Sequence, residues 1–364
     1  ADPGFEQLTA MHGPLSLAVE RGPGTGEPLL LVMGLGMQMH FWHDELVARF
    51  AARGFATARF DNRDVGLSTH LHDRGAPALV PLLLTPRRVA AYRVEDMADD
   101  AVAVLDALGW TSAHVVGVSM GGMIAQAMTI AHPQRVRTLT SIMSTPSPRI
   151  GRPTRAATRA LLIRPARTAD EAAERIVAVT KVIGSPGYPV DVAWLQAYAR
   201  RAFARSNDPA GVARQLAAIN ASPSRVAGLR GVRVPTLVVH GAQDPLVRPA
   251  GGRATAAAVP GSRLMMLPGM GHSLPRELWG VVVDAVAAWT RDGVPEHPAG
   301  WLRTVATRRY LDALRADAAR RRREDAVHDA TPRDVLVAAA PDAEPARDDI
   351  LELLVRSSYQ TRGS

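Results

Sequence analysis

The residues best suited to chemistry in this chain begin with a serine that is flanked by glycines. Ser119 lies in the run GVSMGG, residues 117–122, between a predicted strand and a predicted helix. Glycine is needed in so tight a turn because larger side chains would clash with the backbone. The turn strains the serine and holds its hydroxyl out at the end of the sheet, as expected for a nucleophile. The next helix directs its positive N-terminal end to the same place.

An acid and a base follow Ser119 in chain order. Asp244 comes after the predicted strand 235–241, and His272 ends the loop PGMGH after the predicted strand 263–267. Acyl transfer needs a nucleophile, a base that activates it and a group that orients the base. We predict that Ser119, His272 and Asp244 take these roles.

The alternative for Asp244 and His272 is that each is an ordinary loop residue. For Asp244 this alternative is weakened because no acidic residue follows the strand ending at Ser144, the other usual place for the acid. For His272 it is weakened by the glycines on either side of Met270, which indicate a specially shaped loop.

A serine nucleophile also needs two backbone N–H groups to stabilise the tetrahedral oxyanion. One should belong to Met120, the residue after the nucleophile. The other should come from the loop after the predicted strand 29–33, where Gly34 and Gly36 let the chain curl towards Ser119. We predict Leu35 as this donor, with Gly36 as the alternative.

Bulky apolar side chains near these motifs could line a substrate pocket or pack in the core. Methionine and aromatic residues suit an apolar acyl or alcohol pocket, since methionine adapts its shape easily. The predicted substrate-binding residues are Gly34, Gly36, Met37, Trp42 and Trp194.

Two histidine pairs have spacings that could bind a metal, and one polar run could be mistaken for a site. His40-x-x-His43 and His70-x-His72 have no accompanying cluster of acids or cysteines, so we predict no metal site. The run DNRD, residues 61–64, is interpreted as a hydrogen-bonded turn beside the pocket.

The elements that must position these residues alternate between strand and helix. Strands are predicted at 15–21, taken as an edge strand, and at 29–33, 56–60, 113–116 and 138–144, with helices at 41–53 and 94–108. This alternation predicts an α/β fold with a mostly parallel sheet and helices on both faces.

The alternation is interrupted after residue 145 and ends after residue 293. We predict a hydrolase-type core of residues 1–145 and 231–293, closed by a helix at 278–290. Residues 146–230 form a helical cap over the site. Residues 294–364 form a helical C-terminal extension of unknown role that could support a homo-oligomer.

Composition narrows the remaining possibilities. The chain has 364 residues, no cysteine and a net charge of +8, and no apolar run is long enough to span a bilayer. Residues 148–233 carry 15 lysines and arginines against 5 aspartates and glutamates. These excess positive charges either belong to a solvated surface or attract an anionic substrate. No nucleic-acid recognition motif accompanies it. A cytoplasmic location is the expectation, with secretion left open because the native N-terminus is not visible.

These motifs together resemble the serine α/β-hydrolases. The nearest type is the actinobacterial carboxylesterases similar to aclacinomycin methylesterase and to mycobacterial LipG-like enzymes, over about residues 14–292. The resemblance implies an eight-stranded sheet, a helical cap, no cofactor, and oxyanion donors at Leu35 and Met120. Where many relatives have His-Gly before the oxyanion residue, this chain has Met33-Gly34, as in the methylesterase group.

The expected activity is hydrolysis of a hydrophobic carboxylic ester by a bacterial enzyme. The same triad could instead cleave a lactone, a thioester or a C–C bond, or carry out cofactor-free perhydrolysis. A hydrolase-fold binding protein without activity is the alternative from another class, although a binder would not need a complete Ser-His-Asp set. Epoxide hydrolase and haloalkane dehalogenase chemistry is disfavoured, because those relatives place aspartate where Ser119 stands.

Overall fold

A computed structural model describes residues 4–291 of the chain, and the strands in this part form one eight-stranded sheet. The predicted C-terminal extension, residues 294–364, lies outside the described residues. In chain order the strands are β1 (Glu6–His12), β2 (Leu15–Arg21), β3 (Glu27–Val32), β4 (Phe55–Phe60), β5 (Ala113–Val118), β6 (Val136–Ile142), β7 (Thr236–Gly241) and β8 (Arg263–Leu267).

Helices separate most of the strands. They are α1 (Asp44–Ala51), α2 (Leu79–Leu84), α3 (Pro86–Val89), α4 (Val94–Ala107), α5 (Met120–Ala131), α6 (Arg155–Leu161), α7 (Ala169–Ile183), α8 (Val192–Arg205), α9 (Pro209–Ala221), α10 (Val226–Leu229), α11 (Ala250–Ala258) and α12 (Arg276–Arg291). Within residues 4–291, no helix is both long and apolar enough to cross a bilayer.

The strand order is β1-β2-β4-β3-β5-β6-β7-β8. The pairings of β1 with β2 and of β2 with β4 are antiparallel, and the other neighbours pair in parallel. Every residue of β5 is buried, so both of its faces are covered, as in a parallel sheet between two layers of helices. The prediction of a mostly parallel α/β sheet is confirmed.

The sequence-based prediction of 15–21 as an edge strand was wrong. This segment is β2, and β1 covers its outer side along the full register from Glu6–Arg21 to His12–Leu15. The two strands form a hairpin whose turn includes Gly13 at φ +56°. β1 was missed because it is largely exposed and lacks a buried apolar run.

The helix predicted at 41–53 is shorter than expected. Residues Met39–Phe41 form a separate 3₁₀ turn, and α1 begins only at Asp44. The His43 side chain caps α1 by accepting from Glu45 N at 3.0 Å, which sets the start of the helix. The apolar positions that suggested the helix, Leu46, Val47 and Phe50, do form its buried face.

The segment between β6 and β7 contains α6 to α10, and no strand is described there. We call residues 146–230 the helical insertion, keeping the predicted boundaries. A buried ion pair fixes it to the loop after β4: two nitrogens of Arg214 on α9 donate to Asp64 at 2.7 and 3.0 Å. Both side chains are almost fully buried, so each depends on the other for its neutralisation.

Candidate active site

The turn around Ser119 has the strained geometry expected from its sequence. Ser119 has φ +54° and ψ −119°, which is unusual for a residue with a side chain. A Cβ on Gly117 would lie 2.1 Å from the Gly121 carbonyl oxygen, and one on Gly121 would lie 2.1 Å from that of Val32. Only glycine fits at these two positions, so the glycines of the motif allow the turn.

The structure brings Ser119, His272 and Asp244 together in a hydrogen-bonded chain. His272 Nε2 lies 3.0 Å from Ser119 Oγ, and His272 Nδ1 lies 2.8 Å from Asp244 Oδ2. The Asp244 side chain is fully buried, and 8% of the His272 side chain is exposed. This geometry allows His272 to take a proton from Ser119 while Asp244 holds the imidazole in one tautomer.

The second carboxylate oxygen of Asp244 is held by its own loop. Oδ1 accepts from the backbone N–H groups of Leu246 and Val247, both at 2.9 Å. His240 supports the same loop, because its Nε2 lies 2.7 Å from the Val247 carbonyl oxygen. Burial lowers the pKa of His240, so a neutral imidazole donates this bond. His240 is a supporting residue that was not predicted, although its place at the end of a predicted strand, before Gly241, was a signal for it.

The loop that carries His272 rests on the helical insertion. The backbone N–H of His272 donates to the Ile183 carbonyl at 2.7 Å, and that of Gly271 donates to Ser185 Oγ at 3.0 Å. A Cβ on Gly271 would lie 1.9 Å from the Gly184 carbonyl oxygen, so glycine allows this close approach. The end of α7 therefore determines where the base stands.

The loop after β3 reaches the nucleophile as predicted. A Cβ on Gly34 would lie 3.2 Å from that of Ser119. The N–H of Gly36 donates to the buried Gln215 Oε1 at 2.8 Å, so Gly36 is already engaged. The N–H groups of Leu35 and Met120 have no hydrogen-bond partner in the described part of the chain. These contacts favour Leu35 over Gly36 as the oxyanion donor, which stays a prediction.

The predicted substrate-binding aromatics lie in different surroundings. Trp42 is only 2% exposed, which favours core packing for its side chain. Trp194 of α8 stacks on Tyr198 and contacts Phe41, with ring centroids 5.7 and 5.3 Å apart. Met37 contacts the same aromatic cluster, because its sulfur lies 3.9 Å from the Tyr198 hydroxyl. Trp194 and Met37 therefore join the insertion to the loop after β3, and their contact with substrate stays a prediction.

The run DNRD forms a hydrogen-bonded turn, as predicted, but it is buried more completely than the sequence suggested. The Asp61 carboxylate accepts from the N–H groups of Met39 and Leu67 at 2.8 and 3.0 Å and from Arg205 of α8. Asp64, at φ +69°, pairs with Arg214. The turn is thus a polar anchor between the core and the insertion.

The histidine pairs have structural partners. His40 bonds to Glu20 at 2.8 Å. The ring nitrogens of His70 and His72 lie close to the Asp208 carboxylate, a partner that sequence spacing did not reveal. The same oxygen of Asp208 accepts from Arg214 at 2.9 Å. Asp208 is therefore held by Arg214 and the two histidines, and the absence of a metal stays a prediction.

The fold and the family comparison agree on the class of protein. Residues 27–275 match the family model for the alpha/beta hydrolase fold. The chain therefore belongs to the α/β hydrolase family.

The sequence relatives are mainly bacterial hydrolases. The chain is 30% identical over 294 residues to the rhodomycin D methylesterase DauP of Streptomyces sp. (strain C5), covering 74% of this chain and 93% of the relative. It is 26% identical to the putative non-heme bromoperoxidase BpoC of Mycobacterium tuberculosis, covering 68% of this chain and 88% of that protein. The predicted resemblance to actinobacterial methylesterases is confirmed at the level of distant homology.

Solved structures share the fold. The esterase RhEst1 from Rhodococcus sp. ECU1013 aligns with a TM-score of 0.59 and 21% identity, covering 79% of this chain and 98% of that one. The enol-lactonase from Burkholderia xenovorans LB400 aligns with a TM-score of 0.58 and 23% identity, covering 78% and 98%. At these identities the likeness concerns the fold.

Proposed function

We propose that this protein is a serine esterase that hydrolyses a carboxylic ester of a hydrophobic substrate. The observation that carries the proposal is the hydrogen-bonded chain from Ser119 Oγ through His272 to Asp244, with separations of 3.0 and 2.8 Å. Sequence relatives named as methylesterases support an ester substrate, and a methyl ester is the first one to test.

In the proposed reaction, Ser119 Oγ attacks the ester carbonyl carbon while its proton passes to His272 Nε2. The oxyanion that forms accepts hydrogen bonds from the N–H groups of Leu35 and Met120. The tetrahedral intermediate then collapses, and His272 protonates the departing alcohol. An acyl group remains on Ser119.

The second half of the reaction releases the acyl group. Water attacks the acyl carbon, and His272 takes its proton and returns it to Ser119 Oγ as the acid leaves. The Asp244 carboxylate accepts from two backbone N–H groups and from the imidazole in both halves of the reaction. Its charge stabilises the imidazolium that forms in both halves.

A fluorophosphonate probe tests the nucleophile on the full-length chain. We expect covalent labelling of Ser119, detected by mass spectrometry of the tryptic peptide, and no labelling of the Ser119→Ala variant. A folded wild-type protein that resists the probe would favour the non-catalytic binding protein.

A substrate panel then separates the reactions that share this triad. We expect turnover of 4-nitrophenyl acyl esters and of aryl methyl esters. Exclusive turnover of lactones, thioesters or vinylogous diketones, or perhydrolysis without ester hydrolysis, would contradict the esterase proposal while keeping the nucleophile.

A further inference from the structure

A surface recess outside the triad has a lining that suits an anion. It lies between α3, the loop after β6 and the C-terminal end of α9, and its volume is about 530 Å³. This volume is in the range of small-molecule sites. None of the triad residues and none of the predicted substrate-binding residues lines it.

Three arginines line this recess, and no acidic residue does: Arg87, Arg88 and Arg149. Their guanidinium groups make no ion pair or hydrogen bond with any residue between 4 and 291. Some arginines of the insertion do have acidic partners, such as Arg200 with Asp170 and Arg214 with Asp64. Three uncompensated cations around one cavity attract negative charge.

The uncharged polar groups of the recess add hydrogen-bond donors. The Ser147 hydroxyl oxygen accepts from Arg149 N, and that of Ser224 accepts from Val226 N. Neither hydroxyl donates to a described residue, so both protons remain free for a ligand. The Asn220 amide also has no hydrogen-bond partner within residues 4–291. Such an excess of donors matches the acceptor oxygens of a carboxylate or phosphate.

A fourth arginine follows a lining residue of the recess in the chain. Arg225 follows Ser224 and is buried, with its Nη2 donating to the Thr145 carbonyl at 3.0 Å. Its one ion pair among the described residues, with Glu95, spans 4.0 Å. Burial lowers the pKa of Arg225 to about 10, so it remains a cation at neutral pH.

We propose that this recess is a binding site for a small organic anion bearing a carboxylate or phosphate group. The anion would pair with Arg87, Arg88 and Arg149 and accept from the free hydroxyl and amide donors. The loop after β6, which supplies Ser147 and Arg149 to the recess, also supports the nucleophile, since the Ser144 hydroxyl donates to the Ser119 carbonyl at 2.7 Å. The anion is either the charged part of a substrate or a separate ligand, and the experiments below distinguish the two.

Calorimetric titration with citrate tests the site at low, constant ionic strength, with glycerol as the uncharged probe. We expect citrate to bind wild type with 1:1 stoichiometry and glycerol not to bind. Combining Arg87→Gln, Arg88→Gln and Arg149→Gln should weaken citrate binding at least tenfold, and Arg149→Glu alone should also weaken it. Arg230→Gln, an exposed arginine outside the recess, is the matched control and should bind as wild type does.

Two results would overturn the proposal: no citrate binding to wild type, or equal affinities of wild type and the triple variant. Ser119→Ala should still bind citrate, so this test does not depend on the esterase proposal. Loss of binding in Ser119→Ala would place citrate at the triad and contradict the proposed site.

The two sources of the anion are distinguished by a matched pair of esters. 4-Nitrophenyl hydrogen adipate and 4-nitrophenyl hexanoate have acyl chains of the same length, and only the first carries a carboxylate. If the triple variant loses kcat/KM on the adipate ester alone, the anion belongs to the substrate. If it loses citrate binding and keeps both activities, the anion is a separate ligand.

Discussion

At the scale of single residues, the proposed chemistry depends on a strained serine and on an aspartate whose two carboxylate oxygens both accept hydrogen bonds. Ser119 is held at φ +54° by glycines that no other residue could replace without a clash. Asp244 has one oxygen committed to two backbone N–H groups and the other to His272. Its orientation is therefore set before substrate binds, as electrostatic preorganisation requires.

Replacing the three triad residues should have graded effects. We expect Ser119→Ala and His272→Ala each to lower kcat by roughly four to six orders of magnitude, since the remaining residues cannot form or resolve an acyl-enzyme. Asp244→Asn should lose somewhat less, because the nucleophile and the oxyanion donors remain. Steady-state rates on 4-nitrophenyl acetate, with circular dichroism as a check of folding, measure this. Near-normal turnover by Ser119→Ala would disprove the serine mechanism.

At the scale of elements, the helical insertion contacts the loop that carries His272 and the loop of the predicted oxyanion donor. The end of α7 holds the His272 loop. On α8, the Tyr198 hydroxyl accepts from Gln38 N, and on α9, the Gln215 side chain accepts from Gly36 N. Gln215 also donates to the Arg63 carbonyl at 2.7 Å, which joins the oxyanion loop to the turn after β4. The insertion is thus part of the scaffold of the site.

Gln215 provides a test of this scaffold. Gln215→Leu leaves the Gly36 N–H and the Arg63 carbonyl without partners, which should cost about 1–3 kcal/mol of stability for each group. Because the oxyanion loop then relaxes, we expect kcat to fall roughly 10- to 100-fold with little change in KM. Urea unfolding and steady-state kinetics on one neutral ester measure the two effects.

Gln215→Glu is the matched control for that change. It keeps an acceptor for Gly36 N but turns a buried carboxylate oxygen towards the Arg63 carbonyl oxygen, so its stability should fall while its kcat lies between those of wild type and Gln215→Leu. A folded Gln215→Leu protein with full kcat would show that the loop does not need this bond.

At the scale of the whole molecule, a buried histidine couples stability to pH. His114 on β5 is buried and bonds to Thr138 Oγ1 at 2.9 Å. Burial lowers its pKa to about 4, below its ordinary value of 6.5. As the pH falls, the imidazole of His114 is therefore protonated in the unfolded chain before it is protonated in the folded chain. The contribution of His114 to stability is present above pH 6.5 and is lost between pH 6.5 and 4.

We expect the free energy of unfolding to decrease from pH 7 to pH 5 by on the order of 2 kcal/mol through this residue. His114→Gln keeps a partner for Thr138 but cannot titrate, so its stability should depend less on pH over the same range. Urea unfolding of both proteins at the two pH values measures the difference. Identical pH dependence of the two proteins would contradict the assignment to His114.

The domain boundaries can be tested by truncation. A chain that ends at Asp292 retains all twelve helices and eight strands described here. We expect it to hydrolyse a small neutral ester with kcat within a few-fold of the full chain, because the proposed triad lies within residues 119–272. A truncated protein that folds but lacks all esterase activity would show that residues 294–364 contribute to the site.

Much of the fold and of the candidate site could be predicted from sequence because those signals are local. Ser119, Asp244 and His272 each follow a strand that an apolar run predicts. The residue types next to them, glycines above all, indicate the turns that follow those strands. Strand β1 was missed because its exposed, irregular pattern gave no such signal. The start of α1 was misplaced because a side-chain cap by His43 cannot be distinguished from an ordinary helical position in sequence.

Tertiary structure alone decided the contacts that join distant segments. Gln215 meets Gly36 across 179 residues, and Arg214 meets Asp64 across 150. The recess likewise assembles Arg87 and Arg88 of α3 with Arg149 of the loop after β6. The sequence by itself determined the chain order of serine, acid and histidine and the type of element that carries each. Both depend only on neighbouring residues and on strand and helix periodicity. The partners of these residues depended on how the insertion packs against the sheet, and that packing results from many weak contacts with no short pattern of their own.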